Sequence, residues 1–250
     1  MQYLSKMKKI IVLVLFTLTG CGSHQSEHSV VVKADALIHR DYCEKKTLSE
    51  YEKFFIKAGL VDVQKLDPRV RVKLKYSTTD NLFGFDAYGD LEKAYLQKDV
   101  AQKLVNAQEY LNMNMPGTCL IIFDAARPRS VQQIIWDSLK MPFEEKIKYA
   151  SNPKLGGLHN FGAAVDVSIV DKNGKELDMG SPFDFMGELS YPENEAKLLK
   201  EGKLTQQQVN DRKLLRSVMY KAGFFNIQTE WWHFNSCTRE QAMVKYKIIE

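Results

Sequence analysis

The chain has 250 residues, 44% hydrophobic and 26% charged, the composition of a globular protein rather than a disordered or fibrous one. Its net charge of +4 is mild and comes partly from lysines near the N-terminus, so no dense basic face points to nucleic acid. No fixed-period repeat and no Pro/Gly/Ser linker divides the sequence into smaller domains.

Lys6, Lys8 and Lys9 precede the apolar run Ile10 to Leu18, which is too short for a stable membrane span and reads as the core of a signal peptide. The run ends in Leu18-Thr19-Gly20-Cys21, which resembles the bacterial lipoprotein signal, where the cysteine is lipidated and becomes the new N-terminus. Residues 1–20 are therefore expected to be a lipoprotein signal peptide, 21–45 a tether and N-terminal extension, and 46–250 the functional domain. Lipidated Cys21 would hold the protein on a membrane of the cell envelope, on its periplasmic or extracellular face. The alternative is an ordinary signal peptide with an incidental cysteine. An exported protein leaves room for one disulfide among Cys43, Cys119 and Cys237, with the pair left open.

Past the tether, Leu48 to Phe55 has a helical pattern. Val61-Asp62-Val63 and Val70 to Tyr76 alternate apolar and polar residues, predicting half-buried strands. Leu91 to Leu111 carries Val100, Leu104 and Ala107 at helical spacing, and Pro116-Gly117 ends that pattern. Cys119 to Phe123 predicts a short buried strand. Ser130 and Gln133 match a capping box, so a helix should begin there and place Arg127 in the preceding turn. Residues 142–150 suggest a short helix, and 164–170 a strand closed by Asp171-Lys172-Asn173-Gly174. Thr205 with Gln208 opens another capped helix that Gly223 ends, and Phe224 to Phe234 reads as paired strands. Strands alternate with helices without regular βαβ units, which predicts an α+β domain.

The chemistry concentrates in two places. His24, His28 and His39 fall in the leader and tether, which leaves His159 and His233 out of five histidines. His159 and Asp166 stand seven residues apart in Gly156-Gly157-Leu158-His159-Asn160-Phe161-Gly162-Ala163-Ala164-Val165-Asp166. Gly162, Ala163 and Ala164 would keep the backbone narrow where a metal approaches. Glu230-Trp231-Trp232-His233 adds an imidazole and a carboxylate. Two imidazoles, one carboxylate and a water form a common catalytic zinc shell, with Glu230 the candidate base. Glu230 and His233 are three apart, so a straight strand would point them to opposite faces; a turn or bulge at Trp231-Trp232 is needed. By spacing alone, a hydrogen-bonded core histidine and a turn-capping aspartate remain equally open.

Together, His159-x-x-Gly162-x-Ala164-x-Asp166 and Glu230-Trp231-Trp232-His233 resemble the paired signature of the D-alanyl-D-alanine dipeptidases. Tyr76 to Gly84, Ala126-Arg127-Pro128, Met179 to Met186 and Arg212-x-x-Leu215-Arg216-x-x-Met219 match further blocks of that family, in its order, over roughly residues 60–236. The resemblance implies a single domain with a central, mainly antiparallel sheet flanked by helices, similar to D,D-carboxypeptidases and the hedgehog domain. It implies one Zn²⁺ held by His159, Asp166 and His233, and Glu230 as general base and then acid. Arg127 would meet the oxyanion and Asp184 the dipeptide's ammonium. The family usually carries serine at the position of Gly157, so a hydroxyl near the substrate is expected to be missing. The implied activity is hydrolysis of D-alanyl-D-alanine or a close D,D-dipeptide, used in cell-wall turnover outside the cytoplasm. A D,D-carboxypeptidase or endopeptidase acting on peptidoglycan stems, and a catalytically silent zinc-binding module, are the alternatives.

Overall fold

The computed structural model describes residues 48–250, which form one compact unit. The segments expected to be signal peptide and tether, with Cys21 and Cys43, lie outside the described residues. Among the described residues, no helix is long and apolar enough to cross a membrane.

A five-stranded sheet carries the site, in the order β2-β4-β5-β7-β6. Its strands are β2 (Arg71–Val72), β4 (Cys119–Asp124), β5 (Ala164–Val170), β6 (Phe225–Asn226) and β7 (His233–Asn235). Only β2 and β4 run parallel; the other pairs are antiparallel. A separate antiparallel pair joins β1 (Val61–Asp62) to β3 (Tyr95–Leu96). The helices are α1 (Glu50–Lys57), α2 (Val63–Leu66), α3 (Lys98–Asn114), α4 (Arg129–Ser138), α5 (Phe143–Lys146), α6 (Glu195–Lys200), α7 (Gln206–Lys221) and α8 (Arg239–Lys245). The α+β class with a mainly antiparallel sheet is as expected.

β5 is buried along its whole length and lies at the centre of the sheet, Asp166 and Ser168 included. Helix α3 buries Val100, Leu104, Ala107 and Leu111 and packs against β4 and α7. One continuous core links these residues to Leu120, Ile122, Val165, Val167, Leu215, Val218 and Phe234. Each fully buried aliphatic side chain of this kind contributes about 1.5–3 kcal/mol of burial.

Several local expectations need correcting. Val63 is helical rather than extended, because the Asp62 carboxylate caps α2 by accepting from Gln64 N at 3.0 Å. Of Val70 to Tyr76, only Arg71–Val72 pairs with β4; Lys75–Ser77 forms a 3₁₀ turn, and the Tyr76 carbonyl accepts from Ala87 N and Tyr88 N. The helix expected from Leu91 starts at Lys98, since Tyr95–Leu96 pairs with β1. Ser130 is not a cap: α4 begins at Arg129, whose N–H donates to the Ile249 carbonyl at 2.8 Å, so the C-terminal tail satisfies that helix end. Thr205 and Gln208 do form the expected reciprocal cap. Cys119 and Cys237 are not bonded to each other, and a pair with Cys43 falls outside the described residues.

Candidate metal centre

The row of residues across the middle of the sheet sets the site. Asp166 on β5 pairs with Asp124 on β4 and with His233 on β7. Directly opposed residues on neighbouring strands share a face, so three polar side chains stand side by side. The β4 ladder is irregular between Ile122 and Asp124, and this puts Asp124, rather than Phe123, opposite Asp166.

His159 arrives from a 3₁₀ turn, Leu158–Phe161, ended by Gly162 in the left-handed region at φ 62°. Glycine is required there by that φ and by space, since a Cβ would lie 2.8 Å from Leu60 Cδ2. The role of Gly162 is thus to turn the chain between His159 and β5, rather than to clear an approach for a metal. Asn160 clamps the turn: its side chain accepts from Gly157 N at 2.8 Å and donates to the Arg127 carbonyl at 2.8 Å.

His159 Nε2, His233 Nδ1 and Asp166 Oδ1 converge, with separations of 3.1, 3.3 and 2.9 Å. Tetrahedral zinc with bonds of about 2.0–2.1 Å asks for ligand atoms roughly 3.3 Å apart. The outer nitrogens settle the tautomers. His159 Nδ1–H donates to the Ala125 carbonyl at 2.7 Å and His233 Nε2–H donates to Asn235 Oδ1 at 2.8 Å. Both acceptors lack hydrogens, so the neutral rings turn bare nitrogens toward each other and toward a carboxylate. Three acceptor atoms this close together are relieved by a shared proton or by a bound cation, and this donor set suits zinc. Burial pushes the Asp166 carboxyl up, but the two imidazoles more than offset it and hold it well below the usual range. For His159, burial opposes the charged form and Asp166 outweighs it, so its pKa is raised.

Glu230 Oε2 lies 3.8 Å from His233 Nδ1. Trp231 and Trp232 form the turn before β7, and that turn brings Glu230 and His233 to one cleft as the spacing demanded. Burial raises Glu230 to about 7.

Arg127 follows β4 and is buried. Its Nε donates to Asp124 Oδ2 at 2.8 Å, its Nη2 touches the same oxygen, and its Nη1 donates to Gln132 Oε1 at 2.9 Å. Burial disfavours its charge, but Asp124 overrides that and raises its pKa. Its guanidinium stacks 5.0 Å from the Tyr76 ring centre and sits 3.9 Å from Asp166 Oδ2. Asp184 joins the same cleft from the loop after β5. Among the described residues it is the non-glycine residue with positive φ, 61°, a sparsely populated conformation that surrounding contacts must impose. Asp184 Oδ2 accepts from the Tyr76 O–H at 2.8 Å, while burial lifts the pKa of Asp184 to about 7.

All the described residues that sequence reasoning singled out for the site thus line one cleft of about 530 Å³. Sequence reasoning did not single out Asp124, Gln132, Tyr76, Tyr88 or Asn235, which hold the others. Asp124 carried one signal, an acidic residue ending a buried apolar strand three positions before Arg127. Tyr88, whose O–H donates to Asp124 Oδ1 at 2.7 Å, carried none.

A two-histidine, one-carboxylate zinc shell beside a half-buried glutamate, on this α+β sheet, defines a mononuclear metallopeptidase. The family model described as D-ala-D-ala dipeptidase, Peptidase_M15, matches residues 56–249. The chain belongs to that family of zinc metallopeptidases. The D-alanyl-D-alanine dipeptidase of Escherichia coli (strain K12) is 31% identical over 175 residues, covering 70% of this chain and 83% of that one. The enzyme of the same name from Enterococcus faecalis (strain ATCC 700802 / V583) is 30% identical over 181 residues, covering 66% and 85%. Among solved structures, the zinc-bound vancomycin-resistance D,D-pentapeptidase VanY aligns with a TM-score of 0.35 and 16% identity over 60% of this chain and 78% of that one.

Proposed function

We propose that the protein hydrolyses D-alanyl-D-alanine or a close D,D-dipeptide outside the cytoplasm, held to an envelope membrane through Cys21. The observation that carries the catalytic reading is the convergence of His159 Nε2, His233 Nδ1 and Asp166 Oδ1 beside Glu230. When bound there, zinc supplies a Lewis acid that acidifies water and polarises a peptide carbonyl. Glu230 takes the proton of the attacking water on a carboxylate oxygen and passes it to the leaving amine, a role worth about 10²–10⁴-fold. Arg127, fixed by Asp124 and Gln132, offers its remaining N–H groups to the oxyanion without having to reorganise. Asp184 pairs with the substrate's ammonium, which restores the charge that burial disfavours.

Anchoring through Cys21 would confine the enzyme to dipeptides released by wall turnover or present outside the cell. Support for this comes from the leader sequence alone. Mass spectrometry of mature protein should find a lipidated Cys21; an unmodified Cys21 would remove the anchor. A second reading, cleavage of peptidoglycan stems, is favoured by the room in the cleft, about 530 Å³. Assays with D-Ala-D-Ala and with an N-capped D-Ala-D-Ala peptide, each with and without a chelator, separate the two. We expect chelator-sensitive hydrolysis of the free dipeptide. Cleavage of the capped peptide alone would establish the second reading.

A further inference from the structure

Position 157 is glycine, yet its backbone does not need one. Gly157 has φ −99° and ψ 176°, a region open to any residue. What glycine avoids is a collision: a Cβ there would lie 2.4 Å from Ser151 Oγ and 2.7 Å from Ser151 Cβ. The hydroxyl of Ser151, from the loop before the 3₁₀ turn, fills the space that a side chain at 157 would occupy. A hydroxyl therefore stands in that space, supplied by Ser151.

Ser151 lines the metal cleft. Its carbonyl accepts from Gln132 Nε2 at 2.9 Å, and Gln132 also accepts from Arg127, so one glutamine sets both. Among the described residues Ser151 Oγ has no hydrogen-bond partner of its own. Arg239 lines the same cleft and braces this segment: its Nε donates to the Gly156 carbonyl at 3.1 Å and its Nη2 to the Leu155 carbonyl at 2.5 Å. No carboxylate among the described residues lies within ion-pair distance of Arg239. Those two bonds leave three of its five N–H donors. Lys148, another cation on this wall, is paired with Glu145 at 2.8 Å.

A free dipeptide carries an ammonium and a carboxylate. Asp184 answers the first; the N–H groups that Asp124 and Gln132 leave on Arg127 go to the oxyanion, so the second falls to other donors. We propose that Ser151 Oγ and the Arg239 guanidinium bind the C-terminal carboxylate of the dipeptide. This assignment rests on the dipeptidase reading above. Arginine and a hydroxyl suit a carboxylate because both donate hydrogen bonds and the cation strengthens them.

The test compares D-Ala-D-Ala with its C-terminal amide, for the wild type and for Arg239→Met, Ser151→Ala and the double variant S151G/G157S. Arg239→Met should raise KM for the acid roughly 10–100-fold more than KM for the amide. Ser151→Ala should raise KM for the acid by less. The double variant should recover most of that loss, because it hands the hydroxyl back across the same space. Equal effects on acid and amide, or none on either, would make these residues merely structural and overturn the proposal. So would a double variant no better than Ser151→Ala. If the wild type leaves D-Ala-D-Ala intact, the dipeptidase reading fails at its root and the carboxylate site goes with it.

Discussion

Asp166 and His233 face each other because β5 and β7 pair at that row, whereas Asp184 reaches the same cleft from a loop. The metal shell is placed by backbone register and by a four-residue 3₁₀ turn, so its precision is that of the sheet. The Asp184 loop is placed by side chains distant in sequence. Phe183 packs 5.4 Å from both Phe123 and Trp232, Tyr76 holds the carboxylate, and Trp231 Nε1–H donates to Ser181 Oγ at 3.0 Å. Chemistry that must not move is built on strands, and selection of the substrate is built on a loop that can change without disturbing them.

If that division is real, damage to the row should remove the metal, and damage to the loop should spare it. Asp166→Asn takes away the only charged ligand of the shell, so zinc content and turnover should both collapse. Metal analysis of the purified variant checks this; a full zinc complement would mean the shell is misassigned. Glu230→Gln should keep the zinc and lower turnover about 10²–10⁴-fold. Unchanged turnover would show that another group moves the proton. Asn235→Leu removes the acceptor that holds the His233 tautomer and should weaken zinc roughly 10–100-fold, read by chelator competition. Equal affinity in wild type and variant would show that the backbone alone fixes that ring.

The same division explains what the sequence could show. Scarce histidines and a seven-residue spacing put His159, Asp166 and His233 forward, and the family resemblance decided between a metal shell and core residues. Asp184 was reachable only through the family resemblance, since its neighbour Tyr76 is 108 residues away. The Ser151 hydroxyl was not readable at all: Gly157 looked like a loss until packing showed which atom occupies its side-chain space. Strands were overestimated where Val63 and Lys75 leave the extended path, because two-residue strands carry almost no periodic signal. The cap at Ser130 failed for a tertiary reason, the C-terminal tail at Ile249.

The smallest effect is the sharpest test of the comparison. Arg212 on α7 is fully buried and carries the loop's backbone: its Nε donates to the Met179 carbonyl at 2.6 Å and its Nη2 to the Leu189 carbonyl at 2.8 Å. It also stacks 5.7 Å from the Trp231 ring centre and lies 3.7 Å from Glu195. Burial lowers its pKa to about 10, so it stays charged at neutral pH. Arg212→Met keeps much of the volume but strands both carbonyls, while Glu195 retains its two-pronged contact with Arg216 at 2.7 and 2.5 Å. Stability should fall by about 1–3 kcal/mol, the cost of buried acceptors left unpaired. With the Asp184 loop loosened, KM for D-Ala-D-Ala should rise several-fold, roughly the effect of 1 kcal/mol. Zinc affinity should stay the same, because no shell residue depends on Arg212. Loss of zinc in this variant would mean that the loop and the row form one cooperative unit, and the contrast between them would fall.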